Sequence, residues 1–392
     1  MSINTTEENG KLIIFLQGRI DTQNAPQVEK ELKEILNANE GRNFELDAEE
    51  LEYISSAGLR ILMKLRQMKK DSYPIRNVSS GVYDILEMTG FIELFDVQKA
   101  LRKISIEGLE EIGRGATAKV YRLDRETVLK VYRPDTDLNI IHNENERTKN
   151  AFVNGIPTAI AFDIVKVGDC YGNVYELLDA EDFLTVLLRD KEHLEEHIRR
   201  FANDMRSMHQ IEVNPFKFPP TKTGSIQALS FLEGICTKEE LRKLKSLYEN
   251  IPSRNTFIHG DCHPGNVMVQ NGDLVFIDLM SCGCGHPIFD FVSMCSVYHI
   301  PRSEEELKNS PLTCDFTKEE RDLIWNTYLK AYLETGDEDF IRKVERQIVA
   351  VASARMLFAT VFIPGLIPPE RVEQLKKNAI SYVDEGLEPL VF

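Results

Sequence analysis

The first hundred residues combine strand-type and helix-type patterns of apolar positions. Two short apolar runs, at 11–17 and 45–46, are typical of strands. Three longer segments repeat their apolar positions at the helical period, at 24–37, 57–69 and 82–95. The resulting order, β-β-α-β-α-β-α, predicts a small α/β domain with a mixed sheet and helices.

The pattern changes after about residue 104. Residues 119–123 and 127–132 are predicted to be two strands of a hairpin, turned at Asp124 and Arg125. A helical segment follows at 141–153, and another ends at His209, which we expect to be a packed structural histidine. The whole chain is therefore expected to be an α+β protein of more than one domain.

The longest apolar stretch runs from 348 to 367, and it bears on the question of a membrane span. Arg355 interrupts this stretch and Pro364 breaks it. A membrane-spanning helix needs about 20 consecutive residues that are predominantly apolar. The stretch therefore predicts a buried helix, and we expect no membrane partner.

Charge and cysteine content narrow the classes of partner. Residues 1–103 carry a net charge of −3, and the remainder carries −13 of the total of −16. Such acidity disfavours a nucleic-acid partner and favours a cationic small molecule. The seven cysteines are scattered, and the polar start Ser2-Ile3-Asn4 does not resemble a signal peptide. We therefore expect a cytoplasmic protein with reduced thiols.

One segment combines residues that carry chemistry with strand-type flanks. In 257–269, FIHGDCHPGNVMV, Asp261 precedes Asn266 by five residues, and Asp278 follows in a second apolar run. Phosphoryl transfer uses an aspartate that orients an acceptor hydroxyl, together with oxygen ligands for Mg²⁺. The alternative is a plain turn between two strands, formed by Pro264 and Gly265.

This segment resembles the catalytic core of kinase-like phosphotransferases, in particular the aminoglycoside and choline kinase branch. The resemblance implies that Asp261 is catalytic and that Asn266 and Asp278 bind Mg²⁺, with ATP or another NTP as the donor. Two departures from protein kinases, His263 and the sequence Asp278-Leu279-Met280, favour a small hydroxylated substrate.

Upstream residues supply the other expected parts of this machinery. Gly113 and Gly115 lie in a Gly-rich stretch that is flanked by predicted strands, unlike a dinucleotide-binding loop, which opens a helix. Lys130 is the candidate for binding the α- and β-phosphates. Glu144 and Glu146 point to different faces of the next helix, so that only one can pair with Lys130, and we choose Glu144.

The resemblance extends to the hinge between two lobes and to residues that support the site. The strand at 174–179 matches the hinge, where backbone groups near Glu176 and Leu178 are expected to bind the adenine edge. Asp290 belongs to a G-x-G-x-P-x-x-D tail and is expected to bond the backbone of the catalytic loop. His259 is expected to support the same loop.

A second resemblance covers nearly all of residues 1–103. The segments 53–60 (YISSAGLR), 18–21 (GRID) and 81–91 (GVYDILEMTGF) resemble those of STAS domains, the fold of anti-sigma-factor antagonists. The resemblance implies a protein partner and a switch that is phosphorylated at the start of a helix. Ser56 is our first candidate and Ser55 the second, although either serine could be a helix cap.

Together these patterns predict a STAS domain at 1–103 and a kinase-like domain at 104–392. The boundary between its lobes is expected near 178 and 179. The predicted function is O-phosphorylation of a small hydroxylated substrate, of aminoglycoside or amino-alcohol type, that depends on ATP and Mg²⁺. The alternative is a signalling protein whose kinase-like half phosphorylates a STAS serine or only senses nucleotide.

Overall fold

The computed structural model describes residues 1–8, 10–69, 71–115, 117–362, 367–390 and 392. The chain divides into two compact units, Met1–Ile104 and Ser105–Phe392.

The first unit is a mixed sheet with helices. Its strands are β1 (Ser2–Glu8), β2 (Lys11–Ile20), β3 (Phe44–Asp47), β4 (Leu51–Ile54), β5 (Pro74–Val78), β6 (Asp96–Lys99) and β7 (Arg102–Lys103), and its helices are α1 (Ala25–Ala38), α2 (Ser56–Lys69) and α3 (Ser80–Met88). The sheet order is β1-β2-β3-β5-β6, with β4 also paired to β2. Among the described pairings of this sheet, which does not include β7, only the one between β1 and β2 is antiparallel.

The core of this unit lies between the sheet and its helices. Alternate residues of β2, Leu12, Ile14 and Leu16, are buried, and α2 packs closely over the sheet. A Cβ atom added to Gly58 would lie 2.6 Å from the Ile54 side chain, so that no larger residue fits there without a shift. The predicted small α/β domain with a mixed sheet is confirmed.

Three details of the first unit differ from the prediction. The helix expected over 82–95 ends at Met88, because Gly90 adopts a left-handed conformation with φ of 73° before a short 3-10 turn. Strands β4 and β6 were not predicted. Each has four residues, which is too short for a reliable alternating pattern.

The second unit begins with an antiparallel sheet. Its elements are β8 (Glu111–Arg114), β9 (Ala118–Arg122), β10 (Thr127–Tyr132), α4 (Leu138–Val153), β11 (Ala161–Val167) and β12 (Cys170–Glu176). These strands follow the order β8-β9-β10-β12-β11. The predicted hairpin is confirmed, and Asp124 closes its turn by accepting hydrogen bonds from the N–H groups of Glu126 and Thr127, both at 2.8 Å.

The rest of the second unit is mainly helical. Its helices are α5 (Phe183–Arg189), α6 (Leu194–Met208), α7 (Thr221–Ala228), α8 (Lys238–Glu249), α9 (Ile288–Tyr298), α10 (Glu304–Lys308), α11 (Lys318–Leu333), α12 (Glu338–Phe362) and α13 (Pro369–Asp384). Its short strands are β13 (Glu181–Asp182), β14 (Phe257–Ile258), β15 (Val267–Gln270), β16 (Asp273–Phe276) and β17 (Gly283–Cys284).

Helix α12 contains most of the apolar stretch that was predicted to form a buried helix. Its residues Ile348, Val351 and Leu357 are buried in the core of this unit. Pro364 lies outside the described residues. Among the helices that the structure describes, none is long and apolar enough to cross a membrane.

Candidate active site

The candidate catalytic loop connects two short strands, β14 and β15. Strand β14 pairs with β17, and β15 pairs with β16, so that both ends of the loop are held by sheet hydrogen bonds. Gly260 has a φ of 83°, and a Cβ atom there would lie 2.2 Å from the Ser281 carbonyl oxygen. Only glycine fits this close approach between the loop and the segment that follows Asp278.

Asp290 binds the backbone of this loop through its carboxylate. It is completely buried on α9, and its carboxylate accepts hydrogen bonds from the N–H groups of His259 (2.8 Å) and Gly260 (2.6 Å). His209 contacts the same carboxylate through Nε2 at 2.9 Å and Tyr332 through Nδ1 at 2.8 Å. Burial alone would raise the pKa of Asp290, but these hydrogen bonds and the nearby histidines lower it.

Asp261 lies at the open side of the loop. Its side chain is 51 % exposed, and its Oδ1 atom is 3.3 Å from the hydroxyl of Ser293 on α9. The Nε2 atom of His263 is 4.0 Å from the other carboxylate oxygen. Burial lowers the pKa of His263, although Asp261 opposes this shift. The carboxylate is therefore accessible to an incoming hydroxyl while its backbone is fixed.

Asn266 and Asp278 lie on either side of the β15–β16 hairpin. The Asn266 side chain donates to the Asp261 backbone carbonyl at 2.9 Å, and the backbone carbonyl of Asn266 accepts from the Ile277 N–H at 3.0 Å. These bonds tie the catalytic loop to the strand that leads into Asp278. Asp278 has a φ of 61°, a left-handed conformation that is uncommon for a residue other than glycine and is often found at functional sites.

The oxygen atoms of these two side chains suit Mg²⁺. Magnesium prefers oxygen ligands from carboxylates and amides. The amide nitrogen of Asn266 makes the bond to Asp261, so that its side-chain oxygen is not used by that bond. Asp278 is 38 % exposed and contacts Lys130 through only one oxygen, Oδ1. Asn266 and Asp278 therefore fit the role of magnesium ligands.

Lys130 joins the two lobes of the second unit. Its Nζ atom is 2.8 Å from Glu144 on α4 and 3.0 Å from Asp278. Burial favours loss of its proton, but the two carboxylates outweigh this effect and raise the pKa of Lys130. Tyr175 donates to the same Glu144 oxygen at 3.0 Å, and Glu144 is only 1 % exposed. Glu146, by contrast, is exposed and pairs with Lys149 at 3.6 Å.

The Gly-rich segment is the turn of the β8–β9 hairpin. The Gly115 N–H donates to the Ala118 carbonyl at 2.9 Å, and Gly113 lies in β8. Ala116 lies outside the described residues. The segment therefore connects two strands, as the flanking pattern predicted, and does not open a helix.

The expected hinge lies at the end of β12. The Glu176 N–H donates to the Ile160 carbonyl at 2.9 Å, and the Leu177 N–H donates to the Glu126 carbonyl at 2.7 Å. Leu178 follows β12 and is half-buried. The binding of an adenine edge near Glu176 and Leu178 stays a prediction.

Two arginines that the sequence analysis did not assign also contact this site. Arg147, on α4, donates to the Met280 carbonyl at 2.9 Å. Arg355, on α12, donates to the Gly260 carbonyl at 2.7 Å. The interruption of an apolar stretch by a single arginine was a signal for Arg355, because a buried charge needs a partner. Arg147 lies on a largely polar helix, where nothing distinguishes it from a surface residue.

In the first unit the two candidate serines differ in their surroundings. Ser55 is buried and directly precedes α2, and its hydroxyl lies 3.4 Å from the Gly58 N–H, in a capping position. Ser56 is the first residue of α2 and is exposed. Of the two, Ser56 is the more accessible to a partner enzyme.

Comparisons with protein families match both units. The family model described as "Phosphotransferase enzyme family" matches residues 108–310, and the model of the STAS domain matches residues 2–104.

Two curated proteins that match about a quarter of this chain are anti-sigma factor antagonists. A putative anti-sigma factor antagonist, BtrV of Bordetella bronchiseptica, is 35 % identical over 101 residues, which are 25 % of this chain and 85 % of that protein. The anti-sigma-B factor antagonist of Listeria monocytogenes is 27 % identical over 88 residues, 22 % of this chain and 76 % of that protein.

Solved structures with similar folds include phosphotransferases. A complex of gentamicin with the aminoglycoside phosphotransferase APH(2")-IIa is 20 % identical, covers 69 % of this chain and 90 % of that chain, and has a TM-score of 0.45. A choline/ethanolamine kinase family protein from Mesorhizobium loti is 13 % identical, covers 71 % and 92 %, and has a TM-score of 0.47.

Proposed function

This chain belongs to the phosphotransferase enzyme family and carries an N-terminal STAS domain, and from that premise we propose that it transfers a phosphoryl group from Mg²⁺-ATP to the hydroxyl of a small molecule. The family membership makes it a kinase with a hydroxyl acceptor. The proposal concerns which nucleotide is the phosphoryl donor, which metal ion is used and which molecule is the acceptor.

The observation that supports this function is the contact of Lys130 with both Glu144 and Asp278. One ammonium group is held between a buried carboxylate and an exposed one, at 2.8 and 3.0 Å. Binding of nucleotide phosphates uses a fixed cation next to a metal ligand. Lys130 would be that cation and Asp278 that ligand, and the two are in direct contact. A plain turn between two strands would not require Lys130, Glu144 and Asp278 to be in contact.

Each residue then has a distinct role in the proposed reaction. Lys130 binds the α- and β-phosphates, and Glu144 keeps its ammonium group in place. Gly113 and Gly115 let the hairpin turn approach the phosphates closely. Glu176 and Leu178 lie where the adenine edge would bind. Positioning of this kind supplies a large part of the rate enhancement in phosphoryl transfer.

Asn266 and Asp278 would hold Mg²⁺, which when bound neutralises charge on the phosphates. Asp261 accepts the proton of the acceptor hydroxyl, or orients that hydroxyl, for in-line attack on the γ-phosphorus. Ser293 and the Asn266 side chain fix the position of Asp261, and Asp290 fixes the backbone through His259 and Gly260. The acceptor loses its proton and gains the phosphoryl group, and ADP leaves.

The test is ADP release by the full chain in the presence of Mg²⁺ and a panel of amino alcohols and aminoglycosides. We expect acceptor-dependent ADP release by the wild type and none by Asp261→Asn or Asp278→Asn, both of which should fold normally. Asp273→Asn is a matched control, because that exposed carboxylate lies on β16 without a role in the site. Full activity of Asp278→Asn would overturn the metal assignment.

A second candidate function is favoured by the exposure of Ser56 at the start of α2. In it the kinase domain phosphorylates a STAS serine, in this chain or in a partner, and the STAS domain docks to another protein. A phosphate at a helix N-terminus is favourable electrostatically and changes the docking surface. We further propose a cytoplasmic location, in keeping with the seven free cysteines, and no nucleic-acid partner, in keeping with the acidic charge.

Intact-mass spectrometry after incubation with Mg²⁺-ATP separates the two candidates. A gain of one phosphate that maps to Ser56, and that is absent in Asp261→Asn, would favour the signalling function. An unchanged mass, with ATP binding intact, would favour the small-molecule kinase. Ser55→Ala serves as the control, because the buried Ser55 is not expected to be the modified residue.

A further inference from the structure

A cluster of polar side chains lies where α9 ends and α10 and α13 begin. We call it the arginine cluster, and its members are Ser296, Tyr298, Arg302, Glu306 and Arg371. Arg302 donates to the Ser296 carbonyl at 2.6 Å, and Arg371 forms an ion pair with Glu306. The Arg371 and Glu306 side chains are 11 % and 19 % exposed.

Several polar atoms of the arginine cluster are buried without a partner. Among the described residues, no hydrogen-bond partner is present for Tyr298 Oη, Arg302 Nε or Arg371 Nε. Tyr298 is only 4 % exposed. Buried donors are nearly always hydrogen-bonded in folded proteins, because one without a partner loses its bonds to water and gains none. Three such atoms in one cluster indicate a ligand.

The charges of the cluster indicate the sign of that ligand. Two guanidinium groups face one carboxylate, so that the cluster has an excess of one positive charge. Burial and the charge of Arg371 lower the pKa of Arg302, while Glu306 and Tyr298 oppose this shift. Arg302 has no carboxylate contact among the ion pairs of the described residues. A bound anion would supply the missing acceptor.

Helix α9 connects the cluster to the catalytic loop. Ser293, on this helix, contacts Asp261 at 3.3 Å. Ser296 lies three residues further along α9, and its backbone carbonyl accepts the hydrogen bond from Arg302. One helical turn is about 5 Å long, so that Arg302 contacts α9 about one turn beyond Ser293.

Helix α12 makes the same connection independently. Arg355 donates to the Gly260 carbonyl at 2.7 Å, next to Asp261 in the chain. The adjacent residue, Met356, has its sulfur 4.0 Å from Arg371. Arg371 therefore contacts α12 one residue beyond the residue that binds the catalytic loop.

We propose that the acceptor carries a carboxylate or a phosphate monoester, which binds Arg302, Arg371 and Tyr298 while a hydroxyl of the same molecule faces Asp261. This inference rests on the proposed function. Because Arg302 contacts α9 about one helical turn beyond Ser293, the acceptor we propose is a small one, such as a hydroxy acid or a polyol phosphate.

This acceptor differs from the cationic one that the net charge favours. Net charge acts over the whole surface and is screened beyond about 8 Å at physiological ionic strength. A pair of partly buried guanidinium groups beside the reacting atoms acts at contact distance, where the dielectric constant is lower. The local charge should therefore decide which acceptor binds.

The test uses the full chain, saturated with Mg²⁺ and a non-hydrolysable ATP analogue so that the phosphate-binding residues are occupied. The probes are glycerate, glycerol 3-phosphate and ethanolamine, and the readout is the melting temperature of the protein as the probe is titrated. We expect at least one of the two anionic probes to raise it, and ethanolamine to have no effect. Glycerate alone would identify a carboxylate, and glycerol 3-phosphate alone a phosphate.

Substitutions test whether the rise in melting temperature depends on the arginine cluster. Arg302→Gln should weaken binding of the anionic probe at least tenfold. Arg199→Gln, an exposed arginine on α6 that pairs only with Glu195 among the ion pairs described, should bind like the wild type. If Arg302→Gln does not fold, Tyr298→Phe removes one donor with little change in volume and should weaken the same binding.

Three results would overturn the inference: a shift with ethanolamine alone, no shift with any probe, or equal binding by wild type and Arg302→Gln. The nucleotide analogue provides a separate readout for the proposed function. If the analogue itself does not raise the melting temperature, the proposed function fails. If it does and the anionic probes do not, only the assignment of the acceptor fails.

Discussion

Arg355 donates a hydrogen bond to the carbonyl of Gly260, with 2.7 Å between Nη2 and O. The two residues are 95 positions apart, and Arg355 lies beyond the segment 108–310 that matches the phosphotransferase family. Gly260 directly precedes Asp261. Two helices therefore hold the backbone at Gly260, α12 through a bond to its carbonyl and α9 through the bond of Asp290 to its N–H.

Loss of this bond should reduce turnover more than it reduces substrate binding. A hydrogen bond to a charged group contributes about 1.5–3 kcal/mol, so that Arg355→Gln should lower kcat by roughly 10- to 100-fold. KM for ATP should change by less than about threefold, since Arg355 does not contact the expected nucleotide site. Steady-state kinetics with varied ATP measure both constants.

Arg342→Gln is the matched control for this prediction. It lies on the same helix but is exposed and pairs only with Asp339 among the ion pairs described. Its kinetic constants should equal those of the wild type. An unchanged kcat in Arg355→Gln would show that Asp290 alone positions the loop.

Two glutamates on α4, two residues apart, provide a second matched pair. Glu144 is buried and holds Lys130 at 2.8 Å, whereas Glu146 is exposed. Glu144→Gln removes the charge and leaves Lys130 paired with Asp278 alone, so that the ammonium group is no longer fixed for the phosphates. We expect kcat/KM for ATP to fall by at least about tenfold, which corresponds to roughly 1.4 kcal/mol.

Glu146→Gln should leave kcat/KM unchanged, because exposed ion pairs contribute little. Equal losses in the two variants would indicate a general effect on α4 and would contradict the specific role of Glu144. The melting temperature of each variant separates a loss of folding from a loss of nucleotide binding.

The folds of both units could be predicted because each unit contains local sequence patterns and motifs that are typical of its fold. The hairpin of β9 and β10 was visible from alternation and its turn residues, and the mixed sheet of the first unit from its motifs. Helix geometry allowed only one of Glu144 and Glu146 to reach Lys130, since residues two apart point to different faces, and the resemblance to aminoglycoside kinases selected Glu144. The roles of these side chains in catalysis stay predictions.

What the sequence did not predict depends on contacts between residues distant in the chain. The cluster of Arg302 and Arg371 forms only when α9, α10 and α13 meet, and no spacing along the chain marks it. Strand β4 is stabilised by pairing with β2, not by a pattern of its own. The helix predicted over 82–95 was too long, because the left-handed conformation of Gly90, which ends the helix, was not recognised from the sequence.

Ser55 and Ser56 should differ in their effect on the stability of the first unit. Ser55 is buried before α2, with its hydroxyl 3.4 Å from the Gly58 N–H, and Ser56 is exposed. Ser55→Ala should destabilise the start of α2 by about 1 kcal/mol, the usual cost of removing a helix cap. Hydrogen exchange measured by mass spectrometry should show faster exchange in this segment.

Ser56→Ala is the control, and its exchange should match that of the wild type. Faster exchange in Ser56→Ala but not in Ser55→Ala would reverse the assignment of cap and candidate phosphorylation site.

His286 should make the second unit less stable as the pH falls. Its side chain is fully buried, its Nε2 atom is 2.9 Å from the Phe392 carbonyl oxygen, and its Nδ1 atom accepts from the Ile288 N–H at 3.2 Å. Both ring nitrogens are used by the neutral form, since a second proton on Nδ1 would break the bond to Ile288. Burial is the main cause that lowers the pKa of His286 to about 3, from an ordinary 6.5.

A lowered pKa in the folded state means that the unfolded state takes up the proton first. The stability that depends on neutral His286 is complete above pH 6.5 and is lost as the pH falls from there toward about 3. His286→Gln should lower the free energy of unfolding at pH 7 by about 1–3 kcal/mol, through its lost hydrogen bonds. The variant should then lose less stability than the wild type between pH 7 and pH 4.

Urea unfolding followed by the fluorescence of Trp325, the only tryptophan of the chain, reports on the second unit alone. His193→Gln is the control, because a hydrogen bond to Asp190 raises the pKa of that exposed histidine, so that its contribution has the opposite sign. Removal of His193 should therefore not reduce the loss of stability at low pH. If the urea midpoints of His286→Gln and the wild type fell equally between pH 7 and pH 4, other groups would cause the loss of stability. That result would contradict the role assigned to His286.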